Sequence, residues 1–144
     1  MKRIIITLGL FALTISQSFA ADPTVSTAVV KSFEARFANA TDVSWSEADG
    51  YAIAAFTQNG VRRYAYYNQA AELVVVAQPI TIRQLSEDLQ FSLEENFSGY
   101  EVNELYKMKN EDGTRYYGVL KNKKESIIIN GVSGEWEIVK KVKN

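Results

Sequence analysis

The chain has 144 residues, 47% of them hydrophobic and 23% charged, which fits one globular domain rather than a disordered or wholly membrane-embedded chain. Its 16 Lys and Arg against 17 Asp and Glu leave a formal charge of -1, without the basic excess that neutralising nucleic-acid phosphates requires. With no His and no Cys, imidazole and thiolate catalysis, Cys/His zinc sites, disulfides and lipid attachment at a leader cysteine are all excluded.

In chain order, Lys2 and Arg3 give a positive start, residues 4–15 are an apolar run, and Ser18-Phe19-Ala20 places small residues around a signal-peptidase cut. Residues 1–20 therefore read as a cleaved leader with its cut after Ala20, and the product as a periplasmic or secreted protein. The run is short for a membrane span, which takes roughly 20 apolar residues. No membrane insertion is expected after cleavage.

The remaining residues, 21–144, compare with themselves. An offset of 63 aligns Gly50 with Gly113, Asn59 with Asn122, Glu72 with Glu135 and Leu73 with Trp136, while Phe37 matches Phe97 at an offset of 60. The reading is one compact domain of two helix-plus-sheet repeats, 21–79 and 80–144, with a short insertion near Asn110-Glu111-Asp112.

Each repeat opens with a helix. Asp22 is a cap and Pro23 a first helical residue for the first, where Val25, Val29, Phe33 and Phe37 recur every four residues. Leu85, Leu89, Leu93 and Phe97 do the same in the second, with Ser86 or Thr81 as cap and Glu87 and Asp88 in the favourable first turn. These stripes face a sheet. Four strands follow each helix, near 42–46, 51–58, 61–68 and 72–78, then near 101–108, 114–121, 125–130 and 135–142. Asn59-Gly60 is the two-residue turn that hairpin twist favours, and Gly113, Gly131 and Gly134 are expected in the turns of the second repeat. The predicted class is α+β: a tandem repeat of one helix plus a four-stranded antiparallel β-meander, helices on one face of the sheet.

The segment Phe37-Ala38-Asn39-Ala40-Thr41-Asp42-Val43-Ser44-Trp45, followed by Asp49-Gly50-Tyr51, resembles the F-P-x-A-x-x-V-x-W…G-Y signature of the beta-lactamase-inhibitor-like, PepSY-like family of periplasmic proteins. The second helix and Phe97-Ser98-Gly99-Tyr100-Glu101-Val102 resemble that family's second-helix pattern, so the likeness spans nearly all of 21–144. The family's prolines are missing at Ala38, Ser86 and Ser98, and Ala71 stands where a turn glycine is usual. The resemblance implies a tandem helix-plus-sheet fold and export, with no established activity and no assigned site residue.

A two-residue turn at Asn59-Gly60 sets Gln58 opposite Val61, Phe56 opposite Arg63, Ala54 opposite Ala65 and Ala52 opposite Tyr67. Ile53, Ala55, Tyr64 and Tyr66 are assigned to the helix-covered face, with Tyr116, Gly118, Ile127, Ile129, Leu73, Val75, Trp136 and Ile138. The opposite face then presents Phe56, Arg63, Tyr67, Val74 and Val76, an apolar patch with a guanidinium and two aromatics, the composition of protein-recognition centres. The alternative is that another element or a second subunit covers it. Trp45 and Trp136 are expected in the core. Glu87-Asp88, Glu94-Glu95 and Glu135/Glu137 are helix-surface or neighbouring acids that do not converge as a catalytic pair, and no calcium-loop spacing surrounds Asp49, Asn59 or Asp112. The expected function is a non-catalytic exported binding or inhibitory module for an envelope protein, without cofactor; the alternative is a carrier of a small apolar ligand.

Overall fold

The structure, a computed structural model, describes residues 24–144. The leader, its cut, Asp22 and Pro23 lie outside the described residues, and the first helix starts later than expected, at Thr27, with Val25 ahead of it. Within them the order is α1 (Thr27–Arg36), β1 (Thr41–Ala48), β2 (Tyr51–Gln58), β3 (Val61–Tyr67) and β4 (Leu73–Pro79), then a 3-10 turn (Ile82–Gln84), α2 (Glu87–Asn96), β5 (Glu101–Asn110), β6 (Gly113–Lys121), β7 (Glu125–Val132) and β8 (Glu135–Lys143). All eight strands form one antiparallel sheet in sequence order, and β1 and β8 are its free edges.

The helices start where a serine hydroxyl satisfies a backbone donor. Ser26 Oγ accepts from the Val29 amide at 3.3 Å, and Ser86 Oγ accepts from the Leu89 amide at 3.4 Å, 60 residues on. Ser86 is thus the cap of α2, while Thr81 opens the 3-10 turn before it. Val29 and Phe33 in α1, and Leu89 and Leu93 in α2, are the buried stripe residues, with Phe37 and Phe97 closing it at the C-caps. Three hairpin tips, Asp49-Gly50, Asn59-Gly60 and Ser133-Gly134, have positive φ at both central residues, the geometry whose twist matches the flanking strands.

The β2–β3 pairing agrees with the predicted register at all four pairs. The correspondence between halves keeps the expected offset of 63 where Leu73 of β4 matches Trp136 of β8, but departs from it in β2 and β3. Phe56 pairs with Arg63 and Ala54 with Ala65 as Leu120 pairs with Ile127 and Gly118 with Ile129, so these strands correspond at 64. The reason lies in the β5–β6 hairpin. Trp45 against Ala54 corresponds to Leu105 against Gly118, and two extra pairs, Lys109 with Thr114 and Asn110 with Gly113, lengthen the second hairpin by four residues in all. Lys123-Lys124 then occupies the place of Asn59-Gly60. A slip of one residue moves every side chain to the other face.

That slip reverses the face assignment of the first half. Under α1 lie Ala54, Phe56, Ala65 and Tyr67, with Trp45, Leu73 and Val76 packed around them. Phe33 meets Trp45 and Phe56 edge to face, at ring-centroid distances of 5.3 and 5.1 Å. Under α2 lie Leu105, Leu120, Ile127, Ile129 and Trp136. Val76 pairs with Lys109, which shares a strand face with Leu105, so both helices cover the same side of the sheet. Ile53, Tyr64 and Tyr66 stand on the side away from them. Gly131, expected in a turn, is instead inside β7 opposite Trp136, where an added methyl would come within 2.9 Å of the indole ring. The missing side chain is the space the indole occupies, and the indole N–H donates to the Leu89 carbonyl at 2.9 Å, fastening β8 to α2.

Candidate functional site

Among the described residues no helix lies on the second side of the sheet, and its centre is a cluster of Ile53, Tyr66, Val75, Ala77, Tyr106, Met108 and Tyr117, bordered by Tyr51, Tyr64 and Ile128. Five of the eight tyrosines of the chain thus share one face. Strand alternation puts them there: Tyr51 stands two residues before Ile53, Tyr64 two before Tyr66, and Tyr106 two before Met108. Tyr64 and Tyr106 belong to β3 and β5, yet their rings meet edge to face at 6.4 Å across β4, where Ala77, the residue paired with Tyr64, leaves room. Tyr66, Tyr106 and Tyr117 are buried, whereas Tyr51, Tyr64 and Ile128 are partly exposed at the margin.

Burial, with the neighbouring charges, keeps the Tyr66, Tyr106 and Tyr117 phenols protonated. Burial first, then the neighbouring Tyr106 and Tyr64, pushes the Tyr66 hydroxyl far above the ordinary tyrosine range. Burial and the Glu104 carboxylate do the same to Tyr106, whose hydroxyl donates to Glu104 Oε2 at 3.3 Å. Burial raises Tyr117, with Arg115 partly offsetting it. The face is therefore an apolar floor carrying neutral hydroxyl donors, flanked by charged Arg62, Arg115 and Glu104 on the same strand faces. With neither His nor Cys in the chain, imidazole and thiolate chemistry are absent from this face.

Of the five residues expected to bind, Phe56, Arg63, Tyr67 and Val76 share the helix-covered side of the first half, and Val74 stands apart. Phe56 and Tyr67 are fully buried beneath α1, because the side of β2–β3 expected to be open is the side that α1 covers. The Tyr67 hydroxyl lies near Ser32 and Arg36 of α1, and burial raises its pKa. Val74 is the extra residue of a bulge, between the Tyr67–Leu73 and Tyr66–Val75 pairs. Arg63 and Val76 also line an open hollow of about 680 Å³ beside the C-terminal end of α1. The tyrosine face is the side that the sequence reading assigns to the helices through Ile53, Tyr64 and Tyr66, and their period-2 spacing is the signal that they share one apolar surface.

No family model matches the chain, and no curated protein matches it. Solved structures do. A DUF2874 family protein from Bacteroides uniformis has 15% sequence identity and a TM-score of 0.73, covering 83% of this chain and 89% of its own. A BLIP-like protein from Bacteroides fragilis, also 15% identical, has a TM-score of 0.65 over 82% of this chain and 85% of its own. A protein from Bacteroides eggerthii, provisionally assigned to the periplasm, matches at 15% identity and a TM-score of 0.72, over 83% of this chain and 88% of its own. At this identity the likeness is one of fold, and it agrees with the beta-lactamase-inhibitor-like resemblance carried by Phe37 to Tyr51.

Proposed function

We propose that this chain is a non-catalytic periplasmic module, built from two copies of one helix-plus-meander unit, that binds a protein through the tyrosine face of its sheet. The observation that carries the reading is a sheet face with no described helix on it, where the partly exposed Tyr51 and Tyr64 stand over a floor of buried Tyr66, Tyr106 and Tyr117. Aromatic rings supply much of the energy at the centres of protein interfaces, and a floor of mutually packed rings loses little entropy on binding. The BLIP-like and provisionally periplasmic fold relatives, together with the leader-like residues 1–20, support the compartment and the absence of catalysis. Inhibition is one form such binding takes. A carrier holding an apolar ligand between sheet and helices draws no support, because Phe56, Tyr67, Leu120, Ile127 and Ile129 already fill that layer.

The test is affinity capture from envelope extract with the wild-type chain and with Tyr51→Ser/Tyr64→Ser, the two partly exposed tyrosines of the margin. A partner retained by the wild type and lost by the variant, with unchanged circular dichroism, supports the reading. Equal capture by both removes the tyrosine face from it, and no partner in repeated trials removes the function.

A further inference from the structure

Arg63 occupies the place that Ile127 holds in the second half, and Ile127 is fully buried. A guanidinium stands where the fold otherwise puts an aliphatic core residue. Its Nη1 donates to Gln58 Oε1 at 3.2 Å, while its Nε is buried without an acceptor. Arg36, Lys107 and Lys109 line the same hollow, and among the described residues none of these four cations is paired with a carboxylate. Two acids also line it. Glu72 is held at its own loop by the Asn68 side-chain amide at 2.8 Å, and Glu111 is exposed at the β5–β6 tip, so the hollow keeps a positive excess. Phe37, Leu73 and Val76 give it an apolar wall.

We propose that this hollow is a binding site for an acidic peptide segment in extended conformation. Lys107 and Lys109 alternate on β5 and project to one side roughly 7 Å apart, the spacing of alternate side chains in an extended peptide. Carboxylates at two such positions meet the two lysines, a third anionic group reaches Arg63 or Arg36, and an apolar side chain between them rests against Phe37 and Val76. A single small anion would satisfy only one end of this array. The site is on the helix-covered side and does not depend on the tyrosine face.

The experiment is fluorescence anisotropy of a labelled peptide of alternating Glu and Leu, titrated with the full chain. Binding at about 20 mM salt should weaken at least about tenfold at about 500 mM, where exposed charges are screened within ~4 Å. Lys109→Gln, an exposed change, and Arg63→Gln should each weaken it about fivefold or more, whereas Arg62→Gln, one residue along and on the opposite face, should leave it unchanged. No binding at low salt overturns the proposal. So does equal weakening by Arg62→Gln and Lys109→Gln, which would mean diffuse attraction. Displacement by inorganic phosphate as effective as by unlabelled peptide would also overturn it, leaving a general anion site.

Discussion

The two halves fill the same layer with different side chains. Beneath α1 the volume is aromatic: Phe33, Trp45, Phe56 and Tyr67 surround Ala54 and Ala65. Beneath α2 it is aliphatic: Leu93, Leu105, Leu120 and Ile129 occupy the matching places of Phe33, Trp45, Phe56 and Ala65. The largest exchange runs across one strand pair, where Tyr67 faces Leu73 in the first half and Gly131 faces Trp136 in the second. A big ring and a smaller partner have traded strands. What the backbone demands is a total volume per layer, and which strand supplies it is free to vary.

Breaking that comparison at its centre has the largest expected effect. Phe56→Ala should cost about 3–5 kcal/mol and Leu120→Ala about 2–5 kcal/mol, because each empties the space beneath its helix. Urea unfolding monitored by Trp45 and Trp136 fluorescence measures both. If either costs less than about 1 kcal/mol, that helix does not seal its half. Next, Gly131→Ala should destabilise by about 1–3 kcal/mol as its methyl meets the indole. Gly131→Tyr combined with Trp136→Leu, which copies the first half, should recover part of the loss of Gly131→Tyr alone, and a double-mutant cycle without coupling would refute the exchange.

The tyrosine face sharpens the contrast through pH. Tyr66 and Tyr106 have folded-state pKa values raised above the unfolded value of about 10. Their protonated form favours the fold fully below that value, and as pH climbs past it the unfolded chain releases protons first, so stability falls. Denaturation midpoints at pH 9 to 11 should drop, and Tyr66→Phe should flatten the drop, whereas Phe33→Leu on the other face should not. The smallest effect lies in a loop. Ala71 has φ +60 in the connection between β3 and β4, where its amide donates to the Asn68 carbonyl. Ala71→Gly should stabilise by about 0.5–1 kcal/mol in thermal melts, since glycine adopts that backbone without the Cβ clash.

Local features were legible because their causes are local. Four-residue spacing located both helices, Ser86 marked the start of α2, and Asn59-Gly60 set the β2–β3 register pair by pair. The covered side of the first sheet half was not legible, for a physical reason. Both faces of β2–β3 are apolar, Ile53, Tyr64 and Tyr66 on one and Ala54, Phe56 and Tyr67 on the other, so alternation could not choose between them. The choice rested on matching Asn59 to Asn122, one residue out of place, and the parity of a strand turned that single step into an inverted surface. The balanced lengthening of the β5–β6 hairpin carries no turn signal of its own, since its extra residues simply continue the ladder.

The unclosed edge at β8 has a consequence for life at high concentration. Ile138, Val139 and Val142 are exposed along it, a greasy selvage with unpaired amides that a neighbouring molecule could extend into a ribbon. Lys140, Lys141 and Lys143 are stitched between and beyond them, and lysines on an edge strand add a desolvation cost to any pairing that would bury them. The basic tail of this nearly neutral chain thus acts as a hem that keeps the fabric from fraying into fibres.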